Sequence, residues 1–157
     1  MADTLKVDIK GLNELQAKLE KMSQDMAAKS IVGAAYTANK PMVDAIKNNI
    51  ASNGLVDTGL LQQSISRKKI IYGKDGKVVI ITGVNKSVKG VDRNGKPRVP
   101  WRYANVLEPK YKFVQSGFDE SKNVVVDKFV SALASRIKKF EKNGGGNIWY
   151  QLAVMNL

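Results

Sequence analysis

Glu108-Pro109-Lys110, with Asp92 upstream, is the one group of side chains in this sequence that resembles reaction chemistry. Two carboxylates can hold a hard divalent cation, and a nearby lysine can offset charge developing on a scissile phosphate, as in nucleases built on an acidic pair and a Glu-x-Lys. Such a site needs rigid strands beneath it. A proline inside the triplet and a loop position for Asp92 argue against that support, so the plainer expectation makes Glu108 a helix-end or interface carboxylate and Asp92 a turn residue. The rest of the inventory narrows the chemistry further. The 157 residues include no cysteine and no histidine, which removes thiol nucleophiles, imidazole bases, Ser-His-Asp triads and Cys/His zinc sites. No Gly-rich phosphate cradle occurs. No catalytic residue, metal site or cofactor is expected, and the chain is not read as an enzyme.

The second constellation is a run of cations. Lys86, Lys89, Arg93, Lys96, Arg98 and Arg102 face only Asp92 as a counter-charge, in a chain whose 26 Lys and Arg outnumber 14 Asp and Glu to give +12. Such an excess favours an anionic partner. With Trp101 and Tyr103 alongside, the stretch 86–103 could neutralise phosphates and stack bases, which would make the chain a small basic nucleic-acid-binding module with salt-dependent affinity. An acidic protein surface would satisfy the same cations, and a merely solvated loop is the bland alternative. Without cysteines there is no disulfide framework. No signal-type apolar run and no segment of membrane-spanning length occurs, so a cytosolic product with no membrane contact is expected.

Positioning these residues falls to elements that periodicity reveals. Leu5-Lys-Val-Asp-Ile9 alternates as a short edge strand. Leu12, Leu15, Leu19, Met22 and Met26 form the stripe of one amphipathic helix; Ser30 starts a second, with Ile31, Ala35, Ala38, Met42, Ile46 and Ile50 on its apolar face. Pro41 should kink it or divide it near residue 40, and Ser52-Asn53-Gly54 should end it. Asp57 or Thr58 can then cap a short helix, in which Leu61 and Ile65 share a face and Ser64 leads into a strand. Ser64–Tyr72 and Lys77–Val84 flank Gly73-Lys74-Asp75-Gly76 as a hairpin. Because Val78-Val79-Ile80-Ile81 is apolar on both faces, the second strand is expected to be central and covered by helices on at least one side. Residues 85–100 read as a long loop, 101–108 as one helical turn or a short strand closed by Pro109, and 118–142 as a helix.

The domain is therefore expected over 1–143, with Gly144-Gly145-Gly146 opening an arm, 144–157, whose Ile148, Trp149, Tyr150 and Leu152 are suited to a neighbouring subunit. The fold class is α+β: a small, mainly antiparallel sheet against two or three helices, a long C-terminal helix and an extended arm.

The order of these features resembles one family. Val7-Asp8-Ile9-Lys10-Gly11-Leu12 opens it; Thr58-Gly59-x-Leu61-x-x-Ser64-Ile65, preceded by Asp57, forms a central signature; Tyr103-Ala104-x-x-x-Glu108 forms a second, ahead of a long helix. Together they resemble the tail-completion, or head-tail joining, proteins of long-tailed bacteriophages, related to minor tail protein Z. Pro109-Lys110 stands where such proteins commonly carry an aromatic-Gly pair. The resemblance implies a non-enzymatic virion protein, made in the host cytoplasm and assembled at the neck as a homo-oligomeric ring, commonly six-fold, on the head-proximal end of the tail. Its implied partners are copies of itself and the adjacent connector and tail-tube proteins. The basic loop would then meet an acidic ring or, non-specifically, the DNA in the lumen. Protein contact is the preferred expectation, because tight phosphate binding would hinder a genome that must slide.

Overall fold

A computed structural model gives the structure of residues 12–22, 24–72 and 77–143. The strand expected over 5–9, the hairpin turn 73–76 and the arm from Gly144 to Leu157 lie outside the described residues. The fold is α+β. In chain order its elements are α1 (Leu12–Glu20), α2 (Gln24–Ala38), α3 (Lys40–Ser52), α4 (Leu60–Ser64), β1 (Ile65–Tyr72), β2 (Lys77–Val84), β3 (Gly90–Val91), β4 (Pro97–Arg98), α5 (Pro100–Tyr111) and α6 (Phe113–Lys142). Among the described residues they form two compact units: one takes residues from 12 to 38 and from 126 to 143, the other Asn39–Val125.

In the first unit, Met22, Ala34, Leu133 and Ile137 are the buried centre, and Leu15, Leu19, Ile31, Phe129 and Phe140 pack around them. The stripe expected on one continuous helix is divided between two. The Lys21 and Met22 N–H groups donate to Lys18 and Leu19 carbonyls three residues back, so the last turn tightens and α1 stops. Met22 is thereby turned inward while Met26 stays exposed. The second helix starts at Gln24, six residues before Ser30, because Ala27, Ala28 and Lys29 are strong helix formers.

The second unit is organised around Ile46, Ile50, Leu61, Ile65, Ala104 and Phe113. Pro41 does divide the long apolar stripe: α2 ends at Ala38, and α3 places the proline in its first turn, where a missing N–H leaves no carbonyl without its donor. At the other end of α3, Gly54 N–H donates to Ala51 C=O at 2.9 Å and Leu55 N–H to Ile50 C=O at 3.0 Å. This double closure needs the left-handed backbone that Gly54 supplies, and it returns Leu55 to the core.

β1 and β2 pair antiparallel from Ile65↔Val84 to Tyr72↔Lys77. Ser64 belongs to α4 and the strand begins one residue later. β2 is not central: among the described residues it pairs with β1 alone, and Ile81 is half exposed. α3 and α5 pack against β2, as a strand covered by helices on at least one side requires, so the correction concerns its place at the edge of the sheet. Two further expectations are corrected. α5 is a full helix that runs through Pro109; Lys112 N–H still reaches Glu108 C=O at 2.7 Å, which closes the final turn across the proline. α6 begins at Phe113, five residues early, since Gly117 is accommodated within the helix and Glu108 satisfies its first N–H groups.

Candidate functional site

The central signature and the basic stretch meet in the second unit. Gly59, at φ +75°, is the residue before α4, and its left-handed backbone lets the chain turn into the helix. Asp57 does not cap that helix. Thr58 Oγ1 accepts from Leu60 N–H at a long 3.4 Å, while the Asp57 carboxylate points away to meet Arg93, whose Nε lies 2.6 Å from Oδ1.

Arg93 comes from the region read as structureless, and that reading is corrected. Gly90↔Arg98 and Val91↔Pro97 pair as a miniature antiparallel hairpin. Asp92 is its organiser: Oδ1 accepts Asn94 N–H and Lys96 N–H, both at 2.9 Å, and Oδ2 takes Arg98 Nε at 3.0 Å. These donors hold the Asp92 carboxyl below the usual carboxylate range. Lys96 N–H is the main cause, partial burial opposes it, and Asn94 N–H and the Arg98 guanidinium add to the lowering. The signal was present as Asp92-Arg93-Asn94-Gly95, a turn sequence in which the aspartate bonds its own following backbone. Gly90 lies so close to α4 that a Cβ there would run into the Leu60 methyls.

A cleft of about 530 Å³ results, with Asp57, Thr58, Gly59 and Leu61 on one side, Arg93 and Arg98 on another, and Tyr103 and Leu107 closing it. Burial pushes the Tyr103 phenol above its ordinary pKa. The structure thus brings together Asp57, Thr58, Gly59, Leu61, Tyr103, Arg93 and Arg98. It does not bring in the others. Ser64, Ile65 and Ala104 are buried; Ser64 Oγ donates to Leu61 C=O at 2.6 Å. Glu108 accepts Val114 N–H and Gln115 N–H, each at 3.0 Å, and so caps α6. Lys86 Nζ sits 4.1 Å from the Trp101 ring centroid. Lys89, Lys96 and Arg102 are exposed and make no ion pair among the described residues. Ile148, Trp149, Tyr150 and Leu152 fall outside those residues.

This geometry bears on both chemical readings. Asp92 spends its oxygens on two backbone N–H groups and the Arg98 guanidinium, and Glu108 on the first N–H groups of α6; among the described residues no cluster of three or more acidic side chains could hold a metal. Of the six cations in the basic stretch, Arg93 and Arg98 are neutralised internally and Lys86 rests on an indole, so the surface offered to phosphate is smaller than the sequence suggests. Among the described residues no helix is long and apolar enough to cross a membrane. The arrangement anchors a loop onto a helix start and leaves a rim of lysine and arginine facing solvent. Residues missed by sequence reasoning are Gly90 and Leu60, whose contact carries no short-range signal. A family model described as "HK97-gp10_like: Bacteriophage HK97-gp10, putative tail-component" matches residues 13–108, more than half of the chain. No curated protein and no solved structure matches it.

Proposed function

The chain belongs to the HK97-gp10-like family of bacteriophage tail components, and from that premise we propose that it completes the tail at its head-proximal end, assembling there as a ring to which the filled head is joined. As a member of that family it is a structural tail protein of the virion. The observation that carries the finer reading is the extent of the match, which spans the central signature and ends on Glu108, the last residue of the second. These are the residues that anchor the basic loop and start α6.

Surfaces support the reading as well. Val106 and Val91 are 74% and 56% exposed, apolar side chains that a neighbouring subunit would cover. A ring of identical subunits uses head-to-tail contacts, in which different patches of one copy meet. Lys89, Lys96 and Arg102 give the loop rim a sign, and an acidic neighbouring ring would complement it.

The test is a phage in which this gene is silenced. Filled heads and full-length tails that fail to join would support the proposal, and normal joined particles would end it. Negative-stain images of the purified chain should show rings, six-fold as the resemblance implies. A nucleic-acid role would instead appear as duplex binding that weakens steeply with salt.

A further inference from the structure

The hairpin β1–β2 has two outer edges of opposite character. β1 carries Arg67, Lys68 and Lys69 in succession, and charged side chains of this kind discourage another strand from pairing alongside. β2 carries no charge and no proline from Val78 to Val84. Among the described residues no third strand covers it, and alternate N–H and C=O groups of an outer strand face away from its partner. The root of the hairpin is in the core, with Ile65 buried opposite Val84. Farther out, Ile71 and Ile81 are 55% and 51% exposed. Ile71 pairs with Val78 and Ile81 with Lys68, so the two isoleucines stand on opposite faces. A bare, apolar edge in a protein that guards its other edge is a place kept for a strand.

We propose that this edge receives residues 147–154 of a second copy of the chain, added to β2 as a third strand. The length fits, since Asn147–Val154 matches the 8 residues of β2. The chemistry fits as well. Residues 144–157 contain no charged side chain, in a chain that is 25% charged overall, and Ile148, Tyr150, Leu152 and Val154 alternate with Trp149, Gln151 and Ala153 in the period of a strand. Backbone pairing gives such an addition its affinity, and side chains of the added strand would lie beside Ile81 and cover it. An arm given to one neighbour while the edge receives another is a head-to-tail contact. The inference therefore deepens the proposed ring and rests on it.

The absence of cysteine makes cross-linking clean. Full-length chains carrying Ile81→Cys are mixed with full-length chains carrying Leu152→Cys and treated with a short bismaleimide. Light scattering of the same mixture reads the assembly state. The expected result is a cross-linked dimer of the two variants at least ten-fold above that formed with Lys128→Cys, an exposed position on α6, in place of Ile81→Cys. Three results would overturn the proposal: no cross-link above that control, a cross-link only within single chains carrying both substitutions, or preferential cross-linking of Ile81→Cys to Val7→Cys chains, which would give the edge to the N-terminal segment. Oligomers without the cross-link would leave the ring standing and remove the arm from it. A chain that stays monomeric at every concentration and shows no cross-link would count against both.

Discussion

Arg93 reaches back 36 residues to Asp57, its Nε 2.6 Å from the carboxylate and a terminal guanidinium nitrogen donating to the Asp57 carbonyl at 3.2 Å. This pair ties the basic loop to the start of α4. Both side chains are about 70% exposed (73% and 68%), so water and salt screen the attraction.

Arg93→Ala is therefore expected to lower global stability by less than about 1 kcal/mol. Its effect should be local. Amide hydrogen exchange should accelerate across Gly90–Arg98, with α6 unaffected; unchanged loop protection would show that the Gly90–Leu60 contact alone holds the loop.

Asp92 gives the loop a pH dependence with a definite sign. Its carboxyl is held below the unfolded value of about 3.9, so the ionised form is favoured by folding. The stabilisation is fully present above that value and is lost as pH falls through the lower folded value. Asp92→Asn should remove this acid limb from the loop's protection profile, and a profile identical to that of the parent would contradict the assignment.

Glu108 caps α6 through two N–H groups that have no other acceptor among the described residues. Glu108→Ala should cost about 1 kcal/mol in urea unfolding, with faster exchange at Val114 and Gln115. Glu108→Gln, which keeps one strong acceptor, should fall between. No change in either variant would mean that water replaces the cap at no cost.

Gly117 and Gly33 separate a hard neighbour from a soft one. A Cβ on Gly117 would lie 2.6 Å from Ile46 Cγ1 and 2.9 Å from the Ile46 backbone nitrogen, which cannot yield without parting α3 from α6. Gly117→Ala should cost about 1–3 kcal/mol. A Cβ on Gly33 would also meet an atom at 2.6 Å, but that atom is Arg136 Cζ, at the end of a flexible side chain. Gly33→Ala should leave stability unchanged or raise it by up to about 1 kcal/mol through helix propensity. Thermal melts of the two variants that shift in the same direction would refute the distinction.

The sequence by itself determined the elements whose signals are local. The apolar stripes of α3 and α6, the division at Pro41, the stop at Gly54 and the paired runs of the hairpin all follow from side-chain period and backbone preference within a few residues. The order of short motifs was enough to place the chain in its family, and the absence of histidine and cysteine set aside the commonest reaction chemistry. Only the tertiary structure decided what the chemically suggestive residues do. Glu108 found the N–H groups of α6, Asp92 folded its own loop, and Asp57 turned from its expected cap toward Arg93. A carboxylate's role depends on which donors lie within 3 Å, and the fold supplies those donors from wherever it brings the chain together. The same holds for β2, whose residues read as a central strand until the pairing left it, among the described residues, at the edge of the sheet with Ile81 half exposed.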